Sequence, residues 1–384
     1  MTKNKDMIFL ITNIPTPYRI PLFNQLNSQL KGMSLRFKVL FGARGYARRK
    51  WKIDLSSCKF EYKVLPSLCI KLSNHERVMF TYRGLLNLVI KENPEIIITN
   101  GFSVATTKLW LLSWFRRVRY IIWSGAIESE RRPDPKLRRL HRKLLVRRAV
   151  GFIAYGTKAR EYMVNLGAKP EKVEIGINTV DTNFFRREVE KCRNKFKRAS
   201  NKKTLLFVGY LTKGKRLDLL LGSIKILAES RNDFILKIVG DGPEKDNLIR
   251  LANCLGISQF ISFEGYKQKE SLVNYYAEAD CFLFPSEYDI WGLVLVEAMA
   301  AGVPCIASIH AGAVKDLIED GITGFVVDFS NCETVAEKIY DILDNTNFVE
   351  RLGKKGQNFI NENITLQISA NGFMQAIQRA VLIF

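Results

Sequence analysis

Short apolar runs recur along the chain, separated by longer segments in which apolar residues follow helical spacing. Strands buried on both faces are nearly continuous in apolar residues, whereas amphipathic helices repeat them every three to four positions. In the N-terminal half this pattern predicts helices that include residues 80–91 and 137–148, and strands at residues 7–14, 37–41, 62–65, 96–99, 120–123 and 151–155. The alternation indicates βα units and therefore parallel sheets.

The second half repeats the alternation, with strands predicted at residues 205–209, 236–240, 261–263, 281–285, 305–307 and 325–327. We therefore expect an α/β protein with two doubly wound, Rossmann-like domains, residues 1–180 and 204–364, that face each other across a cleft. Residues 181–203 are predicted to be a linker and hinge, because basic and polar residues crowd residues 185–203 without an apolar period. A helix at residues 365–384 is expected to return to the N-terminal domain.

The net charge of +21 is concentrated in one half of the chain. Residues 1–180 contain 34 Lys and Arg against 12 Asp and Glu, a net of +22, while residues 181–384 contain 25 against 26, a net of −1. A basic half attracts an anionic partner, and composition leaves open whether this is nucleic acid, a membrane surface or a phosphorylated substrate.

Cysteine use and the first residues favour a cytoplasmic protein. The seven cysteines are scattered and never spaced as Cys-x2-Cys, so the sequence suggests neither a zinc site nor a disulfide framework. The apolar run that starts at Met7 is broken by Pro15 and Pro17, which predicts a strand rather than a signal peptide. No stretch reaches the length of a membrane-spanning helix.

A buried carboxylate is predicted within residues 284–304. A helix is expected from about Leu293 to Gly302, and it is apolar on every side except at Glu297. Burying a carboxylate is costly unless charge or hydrogen-bond donors meet it. Glu297 is therefore either a structural residue held by backbone groups or an arginine, or an acceptor for ligand hydroxyl groups.

Three other strand ends carry loops of interest. The loop within residues 207–218 has three cations before a helix, which suits phosphate but is also common in solvated loops. Gly240 and Gly242 lack the third glycine of a dinucleotide fingerprint, so we favour a tight turn. Residues 308–313 are a second candidate anion site.

In this order and spacing, the motifs resemble those of the family-four retaining glycosyltransferases, which have the GT-B fold. The resemblance runs from Leu205 to about Leu343 and more loosely over the first half. The motifs that carry it are Gly209-Tyr210-Leu211 with Lys215-Arg216, Val239 to Pro243, Phe263-Glu264-Gly265, Pro285-Ser286, Asn178 to Phe185, and Asn13 to Arg19. Two positions depart from the family pattern: Asp289 replaces the first glutamate of a Glu-x7-Glu motif, and Tyr210 replaces a usual arginine.

The resemblance implies that a nucleotide diphosphate sugar binds the C-terminal domain. The expected catalytic residues are Glu297, which would accept the ribose hydroxyls, Asp289, which would hold the sugar, and Lys215, which would neutralise the leaving diphosphate. The other expected donor-binding residues are Gly209, Tyr210, Arg216, Gly240, Gly265, Tyr266, Ser286, Glu287, Trp291, Gly292 and Leu293. In the N-domain cleft the expected residues are Thr16, Arg19, Ser124 and Gly125.

The resemblance also implies transfer with retention of anomeric configuration, without a cofactor. No Asp-x-Asp motif occurs, and we expect no metal ion. Some related enzymes are thought to use a histidine base after the strand at residues 120–123, where this chain has Ser124 and Gly125. His75 and His141 are expected at the surface, so no general base is assigned.

The basic half is expected to face the acceptor, a glycan or a polyprenyl-diphosphate-linked glycan of cell-surface polysaccharide or glycolipid synthesis. Basic residues beside the apolar segment 109–115 suit an anionic membrane surface, on the inner face of the cell membrane, although a core helix with a charged rim fits equally well. These residues are Arg116, Arg117, Arg119, Arg131, Arg132 and those of segment 136–148.

Two alternatives compete with a transferase. A nucleic-acid-binding protein would use the same basic half, but no reading helix or aromatic-basic repeat is present, so we expect no nucleic acid as partner. A GT-B epimerase would keep the fold and act on the nucleotide sugar itself. Product analysis without an acceptor separates an epimerase from a transferase.

Overall fold

The computed structural model describes residues 6–46, 50–51, 53–71, 78–128, 133–195 and 202–382. The chain divides into two compact units. Unit 1 contains Met1–Val180 and Leu366–Phe384, and unit 2 contains Asp181–Thr365.

The strands of unit 1 are β1 (Met7–Thr12), β2 (Arg36–Phe41), β3 (Glu61–Val64), β4 (Cys69–Lys71), β5 (Val78–Phe80), β6 (Ile96–Asn100), β7 (Tyr120–Ser124), β8 (Gly151–Ala154) and β9 (Val173–Ile175). Seven of them form a parallel sheet in the order β3-β2-β1-β6-β7-β8-β9, and β4 and β5 form a separate antiparallel pair. The strand order reverses between β1 and β6. The carboxyl ends of these two strands therefore form the switch point at which open parallel sheets commonly bind ligands.

The first five helices of unit 1 connect these strands. They are α1 (Arg19–Gly32), α2 (Leu85–Glu92), α3 (Val104–Leu112), α4 (Lys136–Arg148) and α5 (Thr157–Asn165). Apolar positions of α1 such as Leu22, Phe23 and Leu26 are buried, and β1 is buried along its whole length. The N-terminal apolar run thus forms a central strand, as its pattern predicts.

Unit 2 has a six-stranded parallel sheet. Its strands are β10 (Lys203–Val208), β11 (Phe234–Val239), β12 (Ile261–Gly265), β13 (Cys281–Phe284), β14 (Cys305–Ser308) and β15 (Phe325–Val327), in the order β12-β11-β10-β13-β14-β15. Its helices are α6 (Thr182–Lys195), α7 (Leu217–Ser230), α8 (Lys245–Cys254), α9 (Lys269–Glu278), α10 (Leu293–Ala300), α11 (Val314–Leu317), α12 (Cys332–Asp344) and α13 (Thr346–Asn363). The switch point of this sheet lies between β10 and β13.

The last helix, α14 (Leu366–Leu382), is part of unit 1, where it packs against α1, β8 and β9. Its backbone lies directly on the sheet, because a Cβ atom at Gly372 would be 2.0 Å from the carbonyl oxygen of Ile175. The Phe373 ring meets the Trp123 ring edge to face at 5.0 Å. Only glycine at position 372 permits this close approach.

The predicted linker at residues 181–203 is wrong over most of its length. Residues 182–195 form α6, which belongs to unit 2 and packs against α9, α10 and α13. Phe185 and Val189 lie one turn apart and are buried, and the Phe185 ring is 5.7 Å from that of Tyr276. This apolar stripe has so few residues that its helical period is not recognisable among the surrounding basic residues of the sequence. Residues 196–201 lie outside the described residues.

The helix predicted at residues 80–91 begins later than expected. Phe80 is the last residue of β5, and α2 starts at Leu85. Gly84 caps α2 with a φ of +74°, a left-handed conformation that glycine adopts without steric cost. The sequence pattern does not predict the β4–β5 pair or β9, each strand of which has only three residues.

Candidate functional site

Three loops meet at the carboxyl edge of the unit 2 sheet, where the strands β10, β11 and β12 end. The backbone N–H of Gly209 donates to the carbonyl of Val239 at 3.0 Å, and that of Gly240 donates to the carbonyl of Gly265 at 2.9 Å. A Cβ atom at Gly240 would lie 1.8 Å from the Gly209 carbonyl oxygen, and one at Gly242 would lie 2.3 Å from that of Leu211. The structure confirms the tight turn predicted at Gly240 and Gly242. Glycine is required there because the backbone of this turn contacts the backbone of Gly209 and Leu211.

Lys215 and Asp289 form an ion pair across this edge. Lys215 lies in a short 3-10 turn after β10, and Asp289 lies in the loop after β13. The second oxygen of the Asp289 carboxylate accepts from the backbone N–H of Trp291 at 3.1 Å, and the Asp289 carbonyl accepts from the N–H of Gly312 at 2.8 Å. Two of the predicted catalytic residues are thus in direct contact, in a position fixed by three loops.

Arg216 is the second cation at this edge. It has a left-handed backbone with φ +49°, and its guanidinium contacts the carboxylates of Asp218 at 3.0 Å and Glu287 at 3.3 Å. The backbone N–H of Glu287 also donates to the carbonyl of Gly214 at 3.0 Å. The loop after β13 is therefore joined to the cationic turn by both side chains and backbone.

Glu297 lies on α10, the helix that begins at Leu293 as predicted. Its carboxylate accepts a hydrogen bond from the Tyr276 hydroxyl at 2.8 Å, and no ion pair involves it among the described residues. Burial raises the pKa of Glu297 to about 7, although the Tyr276 hydrogen bond and the Lys269 charge oppose this shift. Neither backbone groups nor an arginine satisfy this carboxylate; its partner is a neutral phenol.

The N-terminal end of α10 is shaped by a glycine and two buried polar groups. Gly292 has φ +88°, and a Cβ atom there would lie 2.5 Å from the Phe284 ring. The Ser286 hydroxyl and the Trp291 indole nitrogen are buried, and neither has a hydrogen-bond partner among the described residues. Buried polar atoms without partners are rare in native proteins, so these two are candidates for contacts with a ligand.

The structure brings most of the other predicted donor-binding residues to the same edge. Gly265 ends β12 with φ +69°, and the Tyr266 hydroxyl donates to the Gln268 side chain at 3.4 Å. Tyr210 follows directly on Gly209 and is half-buried. The sequence reasoning missed Tyr276, because a tyrosine on the apolar side of α9 carries no local signal of its contact with Glu297.

The predicted residues of unit 1 lie at the carboxyl edge of its own sheet. Arg19 begins α1, and Ser124 ends β7. The Ser124 hydroxyl accepts from the backbone N–H of Ala126 at 3.0 Å, so it closes the turn that contains Gly125. Thr16 is buried in the loop between β1 and α1, and its backbone carbonyl accepts from the Arg19 N–H at 3.1 Å.

His141 differs from the surface position expected for it. Its ring is half-buried and its Nε2 lies 3.1 Å from the Thr107 hydroxyl. Burial, together with the charge of Arg142, lowers the pKa of His141 below its usual value. His75, Arg131 and Arg132 lie outside the described residues.

Two general features of the described part of the chain bear on its chemistry. No group of three or more His, Cys, Asp and Glu side chains there is arranged to hold a metal ion. Within the same residues, no helix is both long enough and apolar enough to cross a bilayer.

The chain is thus an α/β protein of two units. Each unit has a doubly wound parallel sheet, and unit 2 carries charged loops at the carboxyl edge of its sheet. Residues 188–359, most of unit 2, match the family described as "Glycosyl transferases group 1". Over this segment, 172 of the 384 residues, the chain is similar to the group 1 glycosyl transferases. The match confirms the family resemblance carried by the motifs.

Part of this chain is similar in sequence to named proteins of other organisms. N-acetyl-alpha-D-glucosaminyl L-malate synthase of Bacillus anthracis is 29% identical over 197 residues, 50% of each chain. D-inositol 3-phosphate glycosyltransferase of Mycolicibacterium smegmatis is 27% identical over 266 residues, which cover 63% of this chain and 60% of the relative. The matched stretches therefore span about half the length of these relatives.

Solved structures resemble the chain over nearly its whole length. Anabaena Alr3699/HepE in complex with UDP aligns with a TM-score of 0.76 at 18% identity, covering 97% of this chain and 99% of that one. A glycosyltransferase from Rickettsia africae aligns with a TM-score of 0.75 at 17% identity, covering 99% and 100%. At such identities the likeness shows the fold, and it confirms the predicted GT-B architecture of two Rossmann-like domains.

Proposed function

We propose that this chain is a glycosyltransferase that moves a sugar from a nucleotide diphosphate sugar to an acceptor. The observation that carries the proposal is the arrangement of Lys215, Asp289 and Glu297 around the carboxyl edge of unit 2, inside the segment that matches the transferase family. Parallel sheets bind nucleotides at this edge. The co-substrate supplies all the reactive chemistry, so no cofactor is required.

The ligand-free ion pair suggests how the donor diphosphate binds. Lys215 is neutralised by Asp289, and both side chains are about four-fifths buried. An incoming diphosphate is a stronger partner for an ammonium group than one carboxylate, because it offers several charged oxygens. Binding would therefore move Lys215 from Asp289 to the diphosphate and free the Asp289 carboxylate to accept hydroxyl groups of the sugar.

Glu297 suits the ribose end of the donor. Among the described residues its carboxylate accepts a hydrogen bond from Tyr276 alone, so acceptor positions remain for the hydroxyl groups of a ribose. Hydroxyl donors satisfy a buried carboxylate without adding a charge. We assign the leaving diphosphate to Lys215 and Arg216, and we propose transfer with retention of configuration and without a metal ion.

We place the acceptor side in unit 1 and propose that it works at an anionic membrane surface. The end of α3 and the outer side of α4 form a basic-apolar surface, in which Trp114 is 60% exposed, Phe115 86% and Leu137 82%. Helix α4 has seven Lys and Arg residues and no acidic residue. The Arg148 guanidinium lies 4.1 Å from the centre of the Trp114 ring, so a cation and an exposed aromatic ring are adjacent on this surface.

The burial pattern of segment 109–115 gives some support to each of its two interpretations. Leu109 is buried in the core, whereas Leu111, Trp114 and Phe115 are exposed beside the cations of α4. Exposed large apolar side chains among cations are typical of surfaces that adsorb to anionic lipid headgroups. A glycan acceptor linked to a polyprenyl diphosphate would be reached from such a surface.

The membrane part of the proposal is tested by flotation with vesicles containing one third phosphatidylglycerol. The wild-type protein should float with the vesicles at low salt and less at high salt. The double substitution Trp114→Ser and Phe115→Ser should reduce flotation, while a matched pair of exposed apolar positions elsewhere in unit 1, Leu68→Ser and Ile70→Ser, should not. Equal flotation of both variants would contradict the assignment of this surface.

The activity is tested with UDP-, GDP- and ADP-sugars, first by thermal stabilisation and then by product analysis. UDP-glucose is the first donor to test, because the similar fold of Alr3699/HepE has been solved in complex with it. Release of nucleotide diphosphate that depends on an acceptor supports a transferase. Isomerised donor without acceptor would mean an epimerase, and salt-dependent binding of DNA or RNA without donor binding would mean a nucleic-acid-binding protein.

A further inference from the structure

Unit 1 contains an arginine, Arg19, that is largely enclosed and whose hydrogen-bond partners among the described residues are all neutral. The Nη1 atom of Arg19 donates to the Thr12 hydroxyl at 2.8 Å, and its Nη2 atom donates to the Tyr155 hydroxyl at 2.6 Å. The guanidinium lies 4.5 Å from the centre of the Trp123 ring and 5.7 Å from that of Tyr18. No ion pair of the described residues includes Arg19, so its charge is not balanced by a carboxylate.

The electrostatic surroundings of Arg19 leave the positive charge uncompensated. The titratable groups that face it are the phenols of Tyr18, Tyr82 and Tyr155. Burial raises the pKa values of Tyr82 and Tyr155, which keeps both phenols neutral near pH 7. An enclosed cation with neutral partners is costly, and an anion that binds beside it recovers part of that cost.

Arg19 and Thr16 also have hydrogen-bonding groups that are not used by these contacts. A guanidinium has five N–H donors, of which the two named contacts use two. The Nε atom of Arg19 and the hydroxyl of Thr16 are enclosed, and neither has a partner among the described residues. Thr16 is 3% exposed, and Arg19 as a whole residue is half-buried.

The place of Arg19 in the fold favours a ligand over a purely structural role. It is the first residue of α1, a fourteen-residue helix whose N-terminus has no side-chain cap. Thr12 ends β1 and receives a hydrogen bond from Asn100, which ends β6, so the cation lies at the switch point of the sheet. Open parallel sheets commonly bind ligands at this switch point, and the dipole of α1 adds a partial positive charge there.

We propose that Arg19 and Thr16, beside the start of α1, form an oxyanion-binding site of unit 1 that takes a phosphate or diphosphate group of the acceptor. Anion binding itself is independent of the proposed transferase activity, whereas its assignment to the acceptor rests on that activity. The guanidinium is already held in place by Thr12 and Tyr155, so it binds without losing further side-chain freedom.

The site is tested with inorganic phosphate and pyrophosphate as probes on the full chain, by thermal stabilisation and by isothermal titration at constant ionic strength. Pyrophosphate should raise Tm relative to chloride. Arg19→Gln should weaken pyrophosphate binding about tenfold or more, because a charge-assisted hydrogen bond is lost. The control is Arg36→Gln, since Arg36 is exposed, pairs with Asp6 and lies at the amino end of β2, away from the site.

Replacing an enclosed residue such as Arg19 can prevent folding, so Thr16→Val provides a second, independent test. Valine has the shape of threonine and removes a hydroxyl that has no partner, so Tm without anion should stay the same or rise. Pyrophosphate binding should still weaken about threefold or more. If Thr16→Val lowers Tm without anion and leaves pyrophosphate affinity unchanged, the residue is structural and the proposal is wrong.

Competition with UDP tests whether the oxyanion that binds at Arg19 belongs to the acceptor or to the donor. If the site serves the acceptor, saturating UDP leaves the Arg19-dependent affinity for phosphate within about twofold of its value without UDP. If UDP displaces the phosphate and Arg19→Gln weakens UDP binding as strongly, the cation serves the donor and the acceptor assignment is wrong. Failure to find any transferase activity would leave the anion measurements intact, so the two proposals fail separately.

Discussion

The two units share a doubly wound architecture but differ in how the cations at the carboxyl edges of their sheets are paired. In unit 2 the ammonium of Lys215 pairs with Asp289, and the guanidinium of Arg216 pairs with Asp218 and Glu287. In unit 1 the partners of Arg19 among the described residues are hydroxyl groups and aromatic rings. One edge is neutralised before any ligand arrives, and the other retains an unbalanced positive charge.

The net charge of a region therefore does not indicate whether the cations at its binding edge are paired with carboxylates. Residues 181–384 are nearly neutral overall, yet their edge holds two cations in fixed positions by pairing each with carboxylates. Pairing keeps a cation in place, and a ligand must then exchange partners with the carboxylate to bind. An unpaired cation such as Arg19 instead gains directly from the first suitable anion.

The largest expected effect tests whether unit 2 carries the chemistry. Glu297→Ala should lower transfer by about 10³-fold while the protein still folds, because the carboxylate that would anchor the donor is lost. Glu297→Gln should fall nearly as far, since an amide replaces the charged acceptor without changing the shape. Initial rates with the donor identified by the screen provide the measurement.

The matched control for this prediction is Glu278→Gln. Glu278 lies on α9, close in sequence to Tyr276, but its carboxylate pairs with Lys237 and not with the site. Its substitution should change the rate less than about threefold, as expected for a partly exposed ion pair. Sustained transfer by Glu297→Ala would overturn the assignment of the site to unit 2.

The second prediction concerns the pH dependence of stability. The pKa of Glu297 is about 7 in the folded protein, above its ordinary value of 4.5, so the folded state binds this proton more tightly than the unfolded state does. The stabilisation is therefore complete below pH 4.5, decreases as pH rises towards 7 and is lost above it. The full difference amounts to at most about 3 kcal/mol.

The measurement compares urea unfolding of the wild type with that of Glu297→Gln between pH 5 and 8. The free energy of unfolding of the wild type should fall relative to that of the variant over this range, because glutamine does not titrate. A difference that stays constant with pH would show that Glu297 titrates normally and would contradict this prediction.

The smallest expected effect concerns Asp289, one methylene shorter than the family's glutamate. Asp289→Glu should change kcat/KM by about tenfold and alter the preference among donor sugars, because the longer side chain moves the carboxylate relative to Lys215 and the Trp291 N–H. Rates with several sugars of one nucleotide test this. Identical rates and preferences in both proteins would mean that Asp289 does not contact the sugar.

The sequence pattern predicted most of the fold because its signals are local. Continuous apolar runs gave the central strands, and α10 begins at Leu293 as expected. The missed elements have weak local signals. The apolar stripe of α6 is essentially Phe185 and Val189, and β9 has only three residues.

By itself the sequence determined the α/β class, the separation of charge between the halves and the motif residues of both edges. Only the tertiary structure decided which of these residues touch. Lys215 and Asp289 are 74 positions apart, and Arg19 and Tyr155 are 136 apart. Such contacts depend on the strand order of each sheet, which brings distant carboxyl ends together, and no local spacing in the chain encodes that order.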